Sequence, residues 1–185
     1  MSETLPPIRR IVTADDAQGR SRIAEDAPAA AVRTVEGRPG YRSVNVWRTE
    51  AAPAPVAAPD SIAAHKGILP PKNGGSILRI IDFPPEPSDP VERKRRIEAT
   101  FTGMFKDAQH DKREGAHPGM HRTDTVDYAL LLEGEIWAVM DEGETLMRAG
   151  NVLIQRGTNH AWANRSNKTA RIAFVLLDGK RQRIE

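Results

Sequence analysis

The stretch HPGMHRTDTVDYALLLEGEIWAVMDEGETLMRAGNVLIQRGTNHAWAN, residues 117–164, decides the fold. Short runs rich in β-branched and aliphatic residues, 126–132, 136–140 and 152–154, alternate with glycine-centred bends at Gly134, Gly143 and Gly150. Two more strands follow, over 160–164 and 169–177. Strands this short and this evenly spaced predict an antiparallel barrel or jelly roll. No crossover helices interrupt them, which excludes a parallel α/β sheet. His121 and Asp127 stand at one end of the stretch and His160 at the other. Two imidazoles and a carboxylate on a small β scaffold are a donor set suited to a divalent metal.

Working outward toward the N-terminus, residues 8–13 and 21–23 read as a hairpin closed by Asp and Gly turn chemistry. It lies outside the central block, so it extends the sheet or packs on a second copy. Residues 42–49 alternate as a half-buried strand, and the Ala- and Pro-rich segment 50–60 reads as a surface loop. His65 follows in a stretch without periodicity and is expected to be a solvated loop histidine. In the strand 76–83, Arg79 is flanked by apolar residues whichever face is buried. Either its stem lies along the sheet with the head reaching water or a carboxylate, or its guanidinium points into a cavity and holds a substrate carboxylate.

Residues 88–105 predict the one helix, with Asp89 as cap, Pro90 in the first turn and Glu92 at capping-box spacing. Ile97, Phe101, Met104 and Phe105 form its apolar stripe, so the charge run 92–96 is its solvated face. His110, in the polar loop beyond, is expected to be solvated. The expected organisation is an N-terminal extension over 1–75 and a barrel over 76–185.

With 27 basic and 25 acidic residues, the 185-residue chain carries no stripe of charge suited to nucleic acid. There is no cysteine, which removes disulfides, thiolate nucleophiles and Cys-ligated zinc. Neither a signal-peptide core nor a run of membrane-spanning length is present, so a cytoplasmic protein without membrane contact is expected.

The spacing of the central block resembles the motifs of the cupin superfamily. Gln155 to Asn164 fits the second motif, Pro-x-Gly, two residues, His, three residues and Asn, with Gln155 in place of Pro. For the first motif Gly115 precedes, Asp127 occupies the acid position usually held by Glu, and Gly134 falls seven residues later. The chain is also similar to a branch of small bacterial and fungal cupins carrying HRTDTxDY and QRGTNHAWxN. The family pairs two histidines as His-x-His, and here this pair is broken. If His121 is the first, its partner position is Thr123; if the second, its spacing to Asp127 is one residue too long.

The resemblance implies an all-β double-stranded β-helix with an N-terminal β extension and a short helix. It implies a mononuclear metal site of His121, Asp127 and His160, with His117 as a further imidazole, holding iron, manganese, zinc or nickel. It also implies a homodimer. Around that centre, Arg79, Thr123, Tyr128, Trp137, Gln155 and Trp162 are the candidate substrate contacts. The expected function is a metal-dependent enzyme acting on a small oxygenated acid or carbonyl compound, as lyase, isomerase, decarboxylase or dioxygenase. The competing expectation is a non-catalytic small-molecule-binding barrel without metal.

Overall fold

In the computed structural model, which describes residues 4–181, the chain forms thirteen strands and one α-helix. In chain order these are β1 (Arg9–Asp15), β2 (Ser21–Pro28), β3 (Val32–Thr34), β4 (Arg42–Thr49), β5 (Ser76–Phe83), α1 (Pro90–Gly103), β6 (Gln109–His110) and β7 (His121–Arg122). They continue as β8 (Thr125–Glu133), β9 (Glu135–Met140), β10 (Glu144–Arg148), β11 (Val152–Gln155), β12 (His160–Ala163) and β13 (Ala170–Asp178). A six-stranded sheet in the order β11-β8-β13-β5-β4-β3 faces a five-stranded sheet in the order β10-β9-β12-β7-β6. The pairings are antiparallel, and the two sheets wrap a single apolar core in jelly-roll fashion.

The strands β4 and β5 coincide with the expected 42–49 and 76–83. Within the expected extension over 1–75, β4 pairs along β5 and carries β3 at the sheet edge, so these strands continue the larger sheet of the barrel. What stands apart is the β1–β2 hairpin, a two-stranded sheet of its own, with Ile11 and Ile23 exposed. Among the described residues no helix is long and apolar enough to cross a membrane.

The core follows from parity along the strands. On β8, Thr125, Asp127, Ala129 and Leu131 are buried and point inward, while Val126, Tyr128 and Leu132 face out. Ile77, Ile136 and Ile172 fill the interior from the neighbouring strands. Gly134 makes the β8–β9 bend at a φ of 77°, and a Cβ there would sit 3.0 Å from the Thr169 carbonyl oxygen. Asn164 closes the turn between β12 and β13, its amide donating to the carbonyls of Phe83 (2.8 Å) and Lys168 (2.7 Å). In α1, Asp89 accepts from the Glu92 N–H at 3.0 Å, and Ile97 and Thr100 are its buried face.

Register across β4, β5 and β13 places Arg42, Asp82 and Arg171 side by side. Asp82 accepts from Arg42 at 2.6 Å and from Arg171 at 2.7 Å, and the same guanidinia donate to the carbonyls of Leu5 and Pro6. One buried carboxylate thus holds three strands and the N-terminal segment together. Asp82→Asn would leave two guanidinia short of a counter-ion. A loss of about 3 kcal/mol is expected, read by urea denaturation at neutral pH; a change inside 0.5 kcal/mol would show that the triad is peripheral to stability.

Candidate functional site

The strand β7 is only two residues long, and its bridge to β12 is the pair His121 and His160. The two rings lie 4.3 Å apart between centroids, tilted by 44°. Each ring is held in the same way. His121 Nδ1 donates to the Gly119 carbonyl at 2.8 Å, and His160 Nδ1 to the Thr158 carbonyl at 2.9 Å. Since a carbonyl only accepts, both rings carry the proton on Nδ1 and present Nε2 as a lone pair. Burial keeps both neutral. It lowers His121 to about 4, against the Gly119 carbonyl, and lowers His160 to about 3, with the neighbouring His121 ring adding to the fall.

Both imidazoles line a cavity of about 60 Å³ at the barrel mouth, within about 650 Å³ of atom-free space that includes open solvent. It is narrow, so a flat guest suits it better than a bulky one. Asp127, on β8 of the other sheet, is the single carboxyl among the described residues of its lining. Its Oδ1 is sealed from water without a hydrogen-bond partner, and burial pushes the group up to about 6, opposed by the Thr125 side chain and by Arg79. Thr123 also lines the cavity, its hydroxyl oxygen accepting from Thr125 at 2.8 Å.

Arg79 enters from β5 and is 1% exposed. It finds neither of its two expected partners, water or a carboxylate. Its Nε donates to Asn45 Oδ1 at 2.8 Å and its Nη2 to the Gly67 carbonyl at 2.7 Å, and its plane lies 4.9 Å from the Phe105 ring centre. Gly67 belongs to a strap that crosses the mouth beyond a single 3-10 turn at Ile62–Ala64. Asp107 latches the strap from the other side by accepting from the N–H groups of Ile68 (2.9 Å) and Leu69 (3.0 Å). A Cβ at Gly67 would meet that carboxylate at 2.5 Å.

Two loop histidines differ from expectation. His65 is buried rather than solvated, with Nε2 3.3 Å from Arg79 and Nδ1 3.4 Å from Arg48. Burial first, and then those two cations, push it down to about 4. His110 is half-buried and stacks on Phe101 at 4.0 Å, with Nε2 donating to the Pro118 carbonyl at 2.8 Å. Phe101, from α1, in turn covers His121 at 5.3 Å.

The structure brings together His121, His160, Asp127, Arg79, Thr123 and Trp162 on one cavity. It does not bring Tyr128, Trp137 or Gln155 there. Tyr128 lies on the outward parity of β8, and Trp137 sits beneath the Arg165 guanidinium at 5.1 Å. Gln155 braces the next turn, its Oε1 accepting from the Thr158 N–H at 3.0 Å. His117 is also elsewhere: its Nδ1 accepts from the Gly119 N–H and its Nε2 contacts Glu86 at 3.1 Å, so no lone pair is left for a metal. Among the described residues no three His, Cys, Asp or Glu side chains are grouped closely enough to hold an ion. The set His121, Asp127 and His160 therefore does not fit as one coordination shell, and what remains is an imidazole pair with two free Nε2 donors.

Arg38 is a lining residue that the sequence reading passed over. It lies between β3 and β4, is buried, donates to Thr100 Oγ1 at 3.2 Å and stacks on Tyr41 at 4.5 Å. Nothing local in GRPGY marks its burial, because apart from Tyr41 its neighbours, Thr100 and Phe83, come from α1 and β5.

No family profile matches the chain. Among curated proteins it is 31% identical over 179 residues to phomopsin biosynthesis cluster protein C' of Diaporthe leptostromiformis, covering 92% of this chain and 78% of that protein. It is 27% identical to the cupin-domain-containing oxidoreductase fogC of Aspergillus ruber (94% and 74% covered). The identity is also 27% to the cupin-domain-containing oxidoreductase virC of Hypocrea virens (95% and 79% covered). Among solved structures, the cupin domain of Schizosaccharomyces pombe Cnp3 overlays with a TM-score of 0.44 at 8% identity, covering 92% and 87% of the two chains.

The shifted groups give a pH signature. The unfolded chain protonates its histidines near 6.5, whereas the folded chain holds His121 and His160 neutral to about 4 and about 3. Their contribution to stability is thus full above pH 6.5 and lost as pH falls through those values. Asp127 acts in the opposite sense, its contribution full below about pH 4 and lost as pH rises through about 6. Urea midpoints measured from pH 8 to pH 4 should fall less steeply on the acid side in a His121→Gln, His160→Gln double variant than in the parent. An unchanged slope would show that the buried imidazoles do not govern it.

Proposed function

The chain belongs to the cupin superfamily, and we propose that it is an enzyme that moves a proton on a small oxygenated organic molecule held in the barrel mouth, with Asp127 as the proton-transfer group. The observation that carries this reading is the lone carboxyl of the cavity, buried with Oδ1 unpartnered, opposite two imidazoles whose Nε2 atoms only accept. A group raised toward neutrality is poised both to take and to return a proton. The Asp127 carboxylate takes a proton from carbon beside a carbonyl, and the C–H electron pair moves to form the enolate. The Thr123 hydroxyl, which lines the same space, stabilises the new oxyanion, and Asp127 returns its proton to the same carbon, re-forming the C–H bond as the carbonyl is restored. His121 and His160 accept hydrogen bonds from substrate hydroxyls and so set its orientation.

The free Nε2 pair favours a second reading. A backbone carbonyl fixing Nδ1–H on each ring is the arrangement that aims Nε2 at an ion. A divalent ion such as iron, manganese, zinc or nickel would be held by His121 and His160, without Asp127, and would supply Lewis-acid or redox chemistry there. Redox chemistry would accord with the oxidoreductase names of the fogC and virC relatives.

Incubation in D₂O with a panel of aryl ketones, aldehydes and keto acids, followed by NMR, tests the first reading. Deuterium should wash into the position beside the carbonyl, and Asp127→Asn should slow this by roughly 10²-fold or more. Binding without exchange anywhere in the panel would leave a non-catalytic barrel in its place. For the second reading, elemental analysis of protein purified without added metal should find close to one ion per chain, lost in His121→Gln. Equal content in parent and variant would rule out the imidazole pair as its holder.

A further inference from the structure

Four arginines are buried, and they divide into two kinds. Arg10 is paired with Asp60 at 2.5 Å and Arg171 with Asp82 at 2.7 Å. Arg38 and Arg79 have no carboxylate within ion-pair distance among the described residues, and these are the two that line the cavity. A guanidinium stays protonated under all conditions in which the protein is folded, so each is a desolvated cation without a directly paired counter-ion; the carboxylates that act on them, Glu86 on Arg38 and Asp107 and Asp127 on Arg79, do so from beyond ion-pair distance. Arg38 has the Thr100 hydroxyl and the rings of Tyr41 and Phe83; Arg79 has carbonyls, an amide oxygen and Phe105.

Burying a cation without a counter-ion costs several kcal/mol, which a well-packed core avoids unless the missing partner arrives from outside. Tyr41 lies beneath the Arg38 guanidinium on the same lining. Its hydroxyl makes no hydrogen bond among the described residues, and it feels Arg38, Arg79 and Arg33 together. Arg33, on β3, adds a third unpaired donor, its Nη1 buried without a partner. Two guanidinia and a phenol O–H thus meet on the cavity lining, while Arg33 lies off it. The remaining wall is aromatic: Trp162 and Phe174 pack edge to face at 5.3 Å, with Phe101 and Phe105 across from them.

We infer that the cavity takes a flat aromatic carboxylate, its carboxylate held by Arg38, Tyr41 and Arg79 and its ring between Phe105, Trp162 and Phe174. The inference rests on reading the barrel mouth as a small-molecule site and names the class of molecule. A carboxylate matches the planar fork of a guanidinium and leaves a lone pair for the phenol O–H. A ring matches the narrow, mainly aromatic space. Inorganic phosphate would satisfy the donors and leave the aromatic walls unfilled. The histidine pair and Asp127, on the same lining, then face the substituents of the ring.

Isothermal titration of the full chain with trans-cinnamate, trans-cinnamamide and inorganic phosphate separates the outcomes. Cinnamate should bind at least roughly tenfold more tightly than the amide, a difference of about 1.4 kcal/mol, and phosphate more weakly still. That preference should vanish in Arg38→Gln and weaken in Tyr41→Phe, two changes that keep the Arg79 anchorage of the strap intact. Equal affinity for acid and amide, tighter binding of phosphate, no binding of cinnamate by folded protein, or an acid preference that survives Arg38→Gln would each overturn the inference. Deuterium exchange on neutral ketones persisting without carboxylate binding would do so while leaving the proton-transfer reading standing. Carboxylate binding without exchange would do the reverse.

Discussion

The burial of the Arg79 guanidinium is the constraint to which the mouth of the barrel is fitted. A cation this deep must have its N–H groups met, and with no carboxylate nearby the partners are backbone carbonyls and an amide. Those carbonyls belong to the strap around Gly67, so satisfying one side chain on β5 draws an irregular segment across the cavity. The strap then brings His65 against the same guanidinium and Ile68 into the lining. Asn45 on β4 completes the set, and β4 bulges just past it. A single charged residue in an otherwise apolar strand thereby shapes a loop, a neighbouring strand and one wall of the site.

The opposite wall rests on a different economy. Two imidazoles face each other across a strand bridge, each oriented by a carbonyl two residues away in its own chain. Such short-range bonds fix the tautomer without help from the rest of the fold, and so Nε2 is free on both rings. Asp127 comes from the other sheet and has no such support. Its raised pKa and unpartnered oxygen follow from the same cause, placement in a dry interior with a cation only at a distance. Imidazoles that accept and a carboxyl that both donates and accepts are complementary functions, supplied by two different sheets.

Much of this was legible in the sequence where it depended on local pattern. The limits of β4 and β5, the capped helix, the turn at Gly134 and the inward placing of His121, Asp127 and His160 follow from alternation, capping and spacing. The misplacing of Tyr128 has a specific cause: β8 carries apolar residues on both faces, Val126, Leu130 and Leu132 outside and Ala129 and Leu131 inside, so hydrophobicity alone does not say which parity faces in. Asp127 decides it, because inward Asp127 forces Tyr128 outward. Arg38 and His65 were illegible for another reason. Their burial is produced by residues 14 to 62 positions away, Arg79 for one and Thr100 for the other, and no window of sequence contains both. Spacing likewise supplied the types of the three expected ligands but not their distribution, His121 and His160 on one sheet and Asp127 on the other.

The two latches on the strap also bear on how a guest comes and goes. Lifting the segment at Gly67 would release the Arg79 N–H groups and the Asp107 carboxylate in one movement, leaving a buried cation stripped of its acceptors. The other cover of the cavity is Phe101, a single partly buried side chain near the end of α1, held by stacking on His110 and contact with His121. A ring that turns about its own χ angles costs far less than a loop that abandons two charged anchors. Of the two covers, Phe101 is thus the one whose displacement costs less, and the strap moves only with both of its charged anchors.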